Sequence, residues 1–188
     1  MKKIAICFLA MLMVFSLVSC GGDDEVPAGY KRASDSSVCE YDLFVPDTWI
    51  TKSGTATNFT SATVAPGDKC NVSVMAVDNV TAETVGDYWM EQQAEYEALL
   101  GVLTVEEEGG KVTLGNGDKT VNGYRYVFTA AYTKGETVTD YKFMQIFFLK
   151  TSVLSGSSLY VFTYTATAEH YDGHLEAVNG ILSNFAFK

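Results

Sequence analysis

The chain has 188 residues, 47% of them hydrophobic and 13% aromatic, with 23 acidic against 13 basic side chains and a formal net charge of −10. That length and apolar content suit one globular domain with a sizeable core and exclude a disordered chain. The negative charge repels phosphate backbones and anionic headgroups, which argues against nucleic acid as a partner and against electrostatic attachment to a membrane surface.

The chain begins with a basic pair, Lys2 and Lys3, then an apolar run from Ile4 to Val18 broken only by Ser16. The run is shorter than the ~20 residues needed to span a hydrocarbon core and fits the apolar region of a signal peptide. Leu17-Val18-Ser19-Cys20 follows, with small or apolar residues just before a cysteine. This resembles the lipobox of bacterial lipoproteins, which implies that the Cys20 thiol takes a diacylglycerol and that the peptide is cut on its amino side. Each buried methylene contributes about 0.8 kcal/mol, so two or three acyl chains hold firmly. Residues 1–19 are therefore expected to be a signal peptide and Cys20 the first mature residue. The domain would be lipid-anchored to the cell membrane or the outer membrane and would face outside the cytoplasm. Removing 1–19 takes away two lysines and no acid, lowering the charge from −10 to about −12.

Residues 20–37 read as a flexible tether, with Gly21-Gly22-Asp23-Asp24-Glu25, Pro27, Gly29 and Ser34-Asp35-Ser36-Ser37. Treated as a coil, the tether spans roughly 23 Å. Order is expected from Val38 and a single domain over 38–188. Cys39 to Val45 alternates, with Tyr41, Leu43 and Val45 on one side, and Pro46 ends it. Asp47-Thr48-Trp49 reads as a turn, a less regular strand follows around Thr57 to Val64, and Pro66-Gly67-Asp68 reads as another turn. Cys70 to Val77 alternates again as a half-buried strand. Cys39 and Cys70 form a possible disulfide in an extracytoplasmic setting, worth roughly 3 to 4 kcal/mol in the chain-entropy model. Alternatively they are two small buried apolar residues.

Thr81 to Leu100 carries Val85, Tyr88, Trp89, Gln92, Tyr96, Leu99 and Leu100 at three- and four-residue steps, which predicts an amphipathic helix with Thr81 as cap and Gly101 as stop. Gly109-Gly110, Asn116-Gly117 and Asn122-Gly123 then punctuate strand-like runs, the last two as hairpin turns. Long strands follow over Tyr124 to Thr133, Thr137 to Lys150 and Leu159 to Ala166. Phe143 to Leu149 and Tyr160 to Tyr164 are apolar on both sides, which predicts strands covered on two faces. A second helix is expected from Glu169 to Asn184, capped by Thr167, with Tyr171, Leu175, Val178, Ile181, Leu182 and Phe185 buried. The order strands, helix, strands, helix predicts an α+β fold, an antiparallel sheet with a helix on each face, forming an α/β/α sandwich.

His170 and His174, four apart on that second helix, are the nearest approach to a metal pair. The residue after the first histidine is Tyr171, not the glutamate of a zinc-protease signature, so no metal or cofactor is expected. Asn116, Asp118, Thr120 and Asn122 lack the glycine and terminal glutamate of a calcium loop and read as turn chemistry. Glu106-Glu107-Glu108 reads as a solvated strand end. Trp49, Tyr132 and Tyr141 would stack sugars if exposed, and Trp89 would line a pocket if the first helix stood away from the sheet; core packing explains all four as well. No nucleophile elbow, phosphate loop or dinucleotide fingerprint is present, and the chain is not expected to be an enzyme.

Tyr41-Asp42-Leu43-Phe44-Val45-Pro46 followed by Trp49, together with Tyr164-Thr165-Ala166 leading to Tyr171 and then Val178, Ile181, Leu182 and Phe185, resembles the PsbP-like family. Its members include the extrinsic subunit P of photosystem II, a eukaryotic Ran-binding protein and many bacterial lipoproteins. The resemblance covers about residues 38–188 in element order. It implies an α/β/α sandwich that works as an assembly or binding module. The metal and photosystem contacts of the plant members have no matching residues here, so photosynthetic function is not implied. The reading that results is a non-catalytic cell-envelope lipoprotein that binds a protein partner. A lipoprotein binding a sugar or apolar molecule is the alternative, and a metal-dependent hydrolase centred on His170 and His174 comes third.

Overall fold

The computed structural model describes residues 26–35, 38–53, 59–65, 68–77, 80, 82–152 and 156–188. The expected signal peptide, Cys20, Thr81 and the Pro66-Gly67 dipeptide fall outside them. The described chain opens with three short strands, β1 (Tyr30–Arg32), β2 (Tyr41–Asp42) and β3 (Phe44–Pro46). β1 pairs antiparallel with β3, Ala33 and Ser34 are buried, and the Leu43 amide donates to Ser34 Oγ at 3.0 Å. The folded domain therefore starts before Val38. Tyr30 and Arg32 are the reason, because Tyr30 packs on the core and Arg32 pairs with Asp42 and sits 5.1 Å over the Phe44 ring. The expected single strand from Cys39 to Val45 is two short ones, buried on both sides, with Asp42 and Phe44 as covered as Tyr41, Leu43 and Val45.

Next come β4 (Ile50–Ser53), β5 (Phe59–Thr63) and β6 (Asn71–Val77), then the helix α1 (Val85–Leu100). The long strands β7 (Leu103–Leu114), β8 (Val121–Lys134), β9 (Thr137–Ser152) and β10 (Gly156–Thr167) follow. A 3-10 turn (Asp172–His174), the helix α2 (Leu175–Ser183) and β11 (Ala186–Phe187) complete the chain. Strands β4 to β10 form one antiparallel sheet of seven in the order β4-β5-β6-β10-β9-β8-β7. The chain leaves β6 near the middle, crosses in α1 to the far edge, and returns as the meander β7-β8-β9-β10 to close against β6. β11 pairs with β2, joining the carboxyl end to the start of the domain.

Residue parity on β10 divides the interior. Tyr160, Phe162, Tyr164 and Ala166 point to one core with Val178, Ile181 and Phe185, whereas Leu159 and Val161 point to the other with Val85, Tyr88 and Trp89. The doubly covered strands and the helix on each face are both as expected. α1 is capped one turn later than expected: Thr84 Oγ1 accepts from the Asp87 amide at 3.1 Å and the Asp87 carboxylate accepts from the Thr84 amide, a reciprocal capping box. Trp89 is fully buried against Tyr126, Phe128 and Phe147, at centroid distances of 4.5, 5.3 and 6.2 Å. Leu99, on the same stripe by angle, is 78% exposed, so the last turn is held by Tyr96 and Leu100 instead.

Gly109-Gly110 does not end a strand but lies inside β7, where the pairing register shifts between Val105 and Glu107 and again between Glu107 and Gly110. The bulge places Glu107 opposite Val127 on the α2 face, 3.0 Å from Arg125 Nε; the glutamate run lies inside the strand and not at its end, with Glu106 and Glu108 exposed as expected. Asn122-Gly123 is likewise strand, not turn. A Cβ on Gly123 would sit 2.8 Å from Ile146 Cγ2 and 3.0 Å from the Phe147 carbonyl oxygen, so glycine serves the close approach of β8 to β9.

Trp89→Ala is expected to lose about 3 to 5 kcal/mol in urea denaturation and Leu99→Ala less than about 0.5 kcal/mol. Equal losses would show that α1 does not bury the face assigned to it.

Candidate functional site

The polar side chains with most chemical character gather where β6 begins and β10 ends. The Cys70 amide donates to Asp68 Oδ1 at 2.8 Å, a tight local turn that fixes the carboxylate just before β6. After β10, the amides of His170 and Tyr171 both donate to the Thr167 carbonyl at 3.0 Å, and the Ala168 amide donates to the Asp140 carbonyl at 2.9 Å. Tyr164 Oη donates to the Tyr171 carbonyl at 2.8 Å, holding the next turn against the sheet. These bonds explain why α2 starts at Leu175 and not at Glu169: the segment 168–171 is a turn, followed by the 3-10 turn.

As a result His170 and His174 do not share a helix face. His170 is exposed in a cleft of about 500 Å³ with Asp68, Lys69, Asp140 and Glu169, whereas His174 is half-buried at the end of the 3-10 turn. His174 instead meets Asp68 and Cys70, the three donor atoms lying within 4.8 Å of one another. Sequence spacing pairs the histidines; the fold pairs one of them with an aspartate and a cysteine a hundred residues away. The Asp-x-Cys spacing at 68 to 70 was the only local signal, and nothing in sequence joins it to His174.

Burial pushes the Asp68 carboxyl up, but hydrogen bonds from the Cys70 amide and thiol, and then the charges of His174 and His170, more than offset it and leave it below its ordinary value. Burial, aided by the Asp68 carboxylate, pushes the Cys70 thiol up to about 12. With Cys70 fully buried and its thiol protonated, the Cys-His-Asp trio is not arranged as nucleophile and base, because an attacking sulfur must be an accessible thiolate.

Cys39 and Cys70 are both free and buried. Cys39 Sγ lies 3.7 Å from Thr60 Oγ1, and Thr60 is opposite Val74, four residues along β6 from Cys70. That is roughly 13 Å of strand, well beyond disulfide reach, so the possible bridge is not formed. Trp49, 4% exposed, is in the α2-side core and does not join Tyr132 and Tyr141, whose rings meet each other at 6.4 Å. Both tryptophans are thus filled round by protein side chains. Asn116 and its neighbours form the β7-β8 turn, where the Lys119 amide donates to the Asn116 carbonyl.

A second polar cleft, of about 350 Å³, lies between α2 and β7 to β9. Its walls are ion pairs, Glu107 with Arg125 and Glu106 with Lys142, and Lys142 Nζ sits 4.8 Å over the Tyr171 ring.

No family model matches the chain, and no curated protein matches it. Solved structures do. LpqN of Mycobacterium tuberculosis, described as involved in cell envelope biogenesis, aligns over 79% of this chain and 83% of its own, with a TM-score of 0.55 at 15% identity. The Ran-binding protein Mog1p of Saccharomyces cerevisiae aligns over 84% and 95%, with a TM-score of 0.51 at 11% identity. A Mog1 point mutant aligns over the same shares, with a TM-score of 0.53 at 9% identity. The chain has the PsbP/Mog1-like α+β fold. At such identities the likeness is one of fold alone, and the sandwich expected from the two end motifs is the one observed.

The Cys70 shift has a pH consequence. The folded state keeps a proton that the unfolded chain releases above about 9, the ordinary thiol value, so Cys70 stabilises the fold fully below that pH and its contribution is lost as pH rises toward about 12. Cys70 is expected to resist alkylation in the metal-free native protein at pH 8 and to react, together with Cys39, on unfolding without reductant. Rapid native labelling at Cys70, or a need for reductant, would contradict this.

Proposed function

We propose that the protein is a lipid-anchored component of the bacterial cell envelope whose domain binds a protein partner and does not turn over a substrate. The observation that carries this reading is the uneven cover of the sheet. On the α1 face, Tyr126, Phe128 and Phe147 are buried beneath the helix, but among the described residues no helix lies over the same face of β4 to β6. There Ile50 is 41% and Met75 40% exposed, beside half-buried Ser61, Thr63, Asn71 and Ser73. Exposed Ile50 and Met75 set among small polar side chains suit another protein better than a small molecule, which needs a concave site burying most of its surface. The two tryptophans that would have lined such a site are core residues.

The fold agrees with this use. LpqN is described in connection with cell envelope biogenesis and Mog1p as a Ran-binding protein. The anchor rests on the Leu17-Val18-Ser19-Cys20 pattern. Among the described residues no helix is long and apolar enough to cross a membrane.

Radiolabelled palmitate is expected to enter the wild-type chain and not Cys20→Ala; equal incorporation would end the anchored reading. A photo-reactive amino acid at Ser73 is expected to give a discrete crosslinked species in intact cells, and one at Ser183, on α2, is not. Crosslinking from Ser183 alone would place the partner on the other face.

A further inference from the structure

The meeting of Asp68, Cys70 and His174 has a use beyond partner binding. Three different donors, a carboxylate oxygen, a sulfur and an imidazole nitrogen, come from two separate segments and lie within 4.8 Å of one another. We propose that these three side chains bind a single zinc ion, which ties the start of β6 to the turn before α2.

The donor chemistry selects the ion. Sulfur and imidazole are poor partners for magnesium and calcium, whereas a mixed sulfur, nitrogen and oxygen set is the usual one for zinc. Bond lengths of about 2.0 Å to nitrogen or oxygen and 2.3 Å to sulfur around a tetrahedral ion put neighbouring donors roughly 3.3 to 3.5 Å apart, so the trio needs to contract by at most about 1.5 Å. On binding, the Cys70 thiol gives up its proton to solvent, and the resulting thiolate and the Asp68 carboxylate together cancel the charge of the ion. Its desolvation at a partly buried site is thereby offset, and this surplus of acceptors over cations suits a strongly acidic domain.

The supporting shell is already built. The Cys70 amide holds Asp68 Oδ1 at 2.8 Å, and the Cys70 carbonyl accepts from the Val64 amide at 3.1 Å, fixing the backbone beneath the sulfur. On the other side, the Tyr164 hydroxyl clamps the Tyr171 carbonyl three residues before His174. Side chains fixed beside strand ends by such bonds lose little freedom on binding. Three protein ligands leave one position for water, which the neighbouring cleft at Asp68 supplies.

The test uses the full chain purified from membranes in detergent, treated with chelator and titrated with zinc and with cobalt. One equivalent of cobalt is expected to give the intense visible bands of a tetrahedral ion together with thiolate-to-metal charge transfer, and one equivalent of zinc is expected to raise the unfolding temperature. His174→Gln and Asp68→Asn are each expected to weaken binding at least ~10-fold, comparable to the loss seen when a metal site is deprived of a well-placed group. Cys70→Ser is expected to abolish the charge-transfer band; because Cys70 is fully buried, His174→Gln, at a half-buried position, decides the matter if that variant does not fold. Octahedral cobalt spectra without a thiolate band would overturn the proposal. So would wild-type affinity in His174→Gln, or loss of binding in His170→Gln with His174→Gln unaffected, which would mean adventitious chelation by the exposed imidazole.

Discussion

Everything in this domain depends on the central pair of strands, β9 and β10, being apolar on both sides. Phe148 and Phe162 face α2 and Phe147 and Val161 face α1, and all four are at most 4% exposed. Full burial of each such side chain contributes about 1.5 to 3 kcal/mol, so a handful of residues on two strands supplies stabilisation to both layers at once. A one-residue slip between β9 and β10 would exchange the two sets and leave large aromatics facing helices spaced for others. The observed register, Phe147 against Val161 and Phe148 against Tyr160, is therefore strongly specified. Gln145, buried in the same strand, donates from its side-chain Nε2 to Tyr96 Oη at 2.9 Å and Thr163 Oγ1 at 3.3 Å, while its Oε1 is buried without a hydrogen-bond partner.

The two chain ends are fastened onto this centre by a second device. Asp42 is 1% exposed and is approached by Arg32 from the amino-terminal segment and by Lys188 Nζ, 3.6 Å away, from the last residue. Lys188 Nζ also donates to the Cys39 carbonyl at 2.9 Å. A buried carboxylate is costly without partners, and here the two cations come from opposite ends of the domain, so the ion group reinforces the short β2–β11 pairing and the Lys188 amide's bond to the Glu40 carbonyl.

What sequence shows of this fold is its periodic part. The double burial of β9 and β10, the stripe of α2 and the hairpin at Asn116-Gly117 follow from residue spacing, and so does the order of helices and strands. Errors fall where a long-range contact overrules local chemistry. Gly109-Gly110 and Asn122-Gly123 carry turn signals, yet one forms a bulge and the other makes room for Ile146 inside a strand. Tyr30 to Ser34 has linker composition, but Arg32 finds Asp42. Of the site, only the two histidines were legible. Their partner residues, Asp68 and Cys70, are brought to His174 by the closure of β10 on β6, a pairing between strands about ninety residues apart that no local pattern encodes.

The functional picture rests on the same centre. Side chains fill both faces of β8 to β10, whereas among the described residues no helix covers the α1 face of β4 to β6, and Asp68, Cys70 and His174 are positioned by the ends of β6 and β10. Native-state hydrogen exchange at single amides tests this most directly. The amides of Gln145 to Phe148 and Tyr160 to Tyr164 are expected to exchange last, at the free energy of global unfolding, well after those of β4 and of the hairpin tip around Gly135. Exchange in β10 ahead of β4 would contradict the central role of that strand.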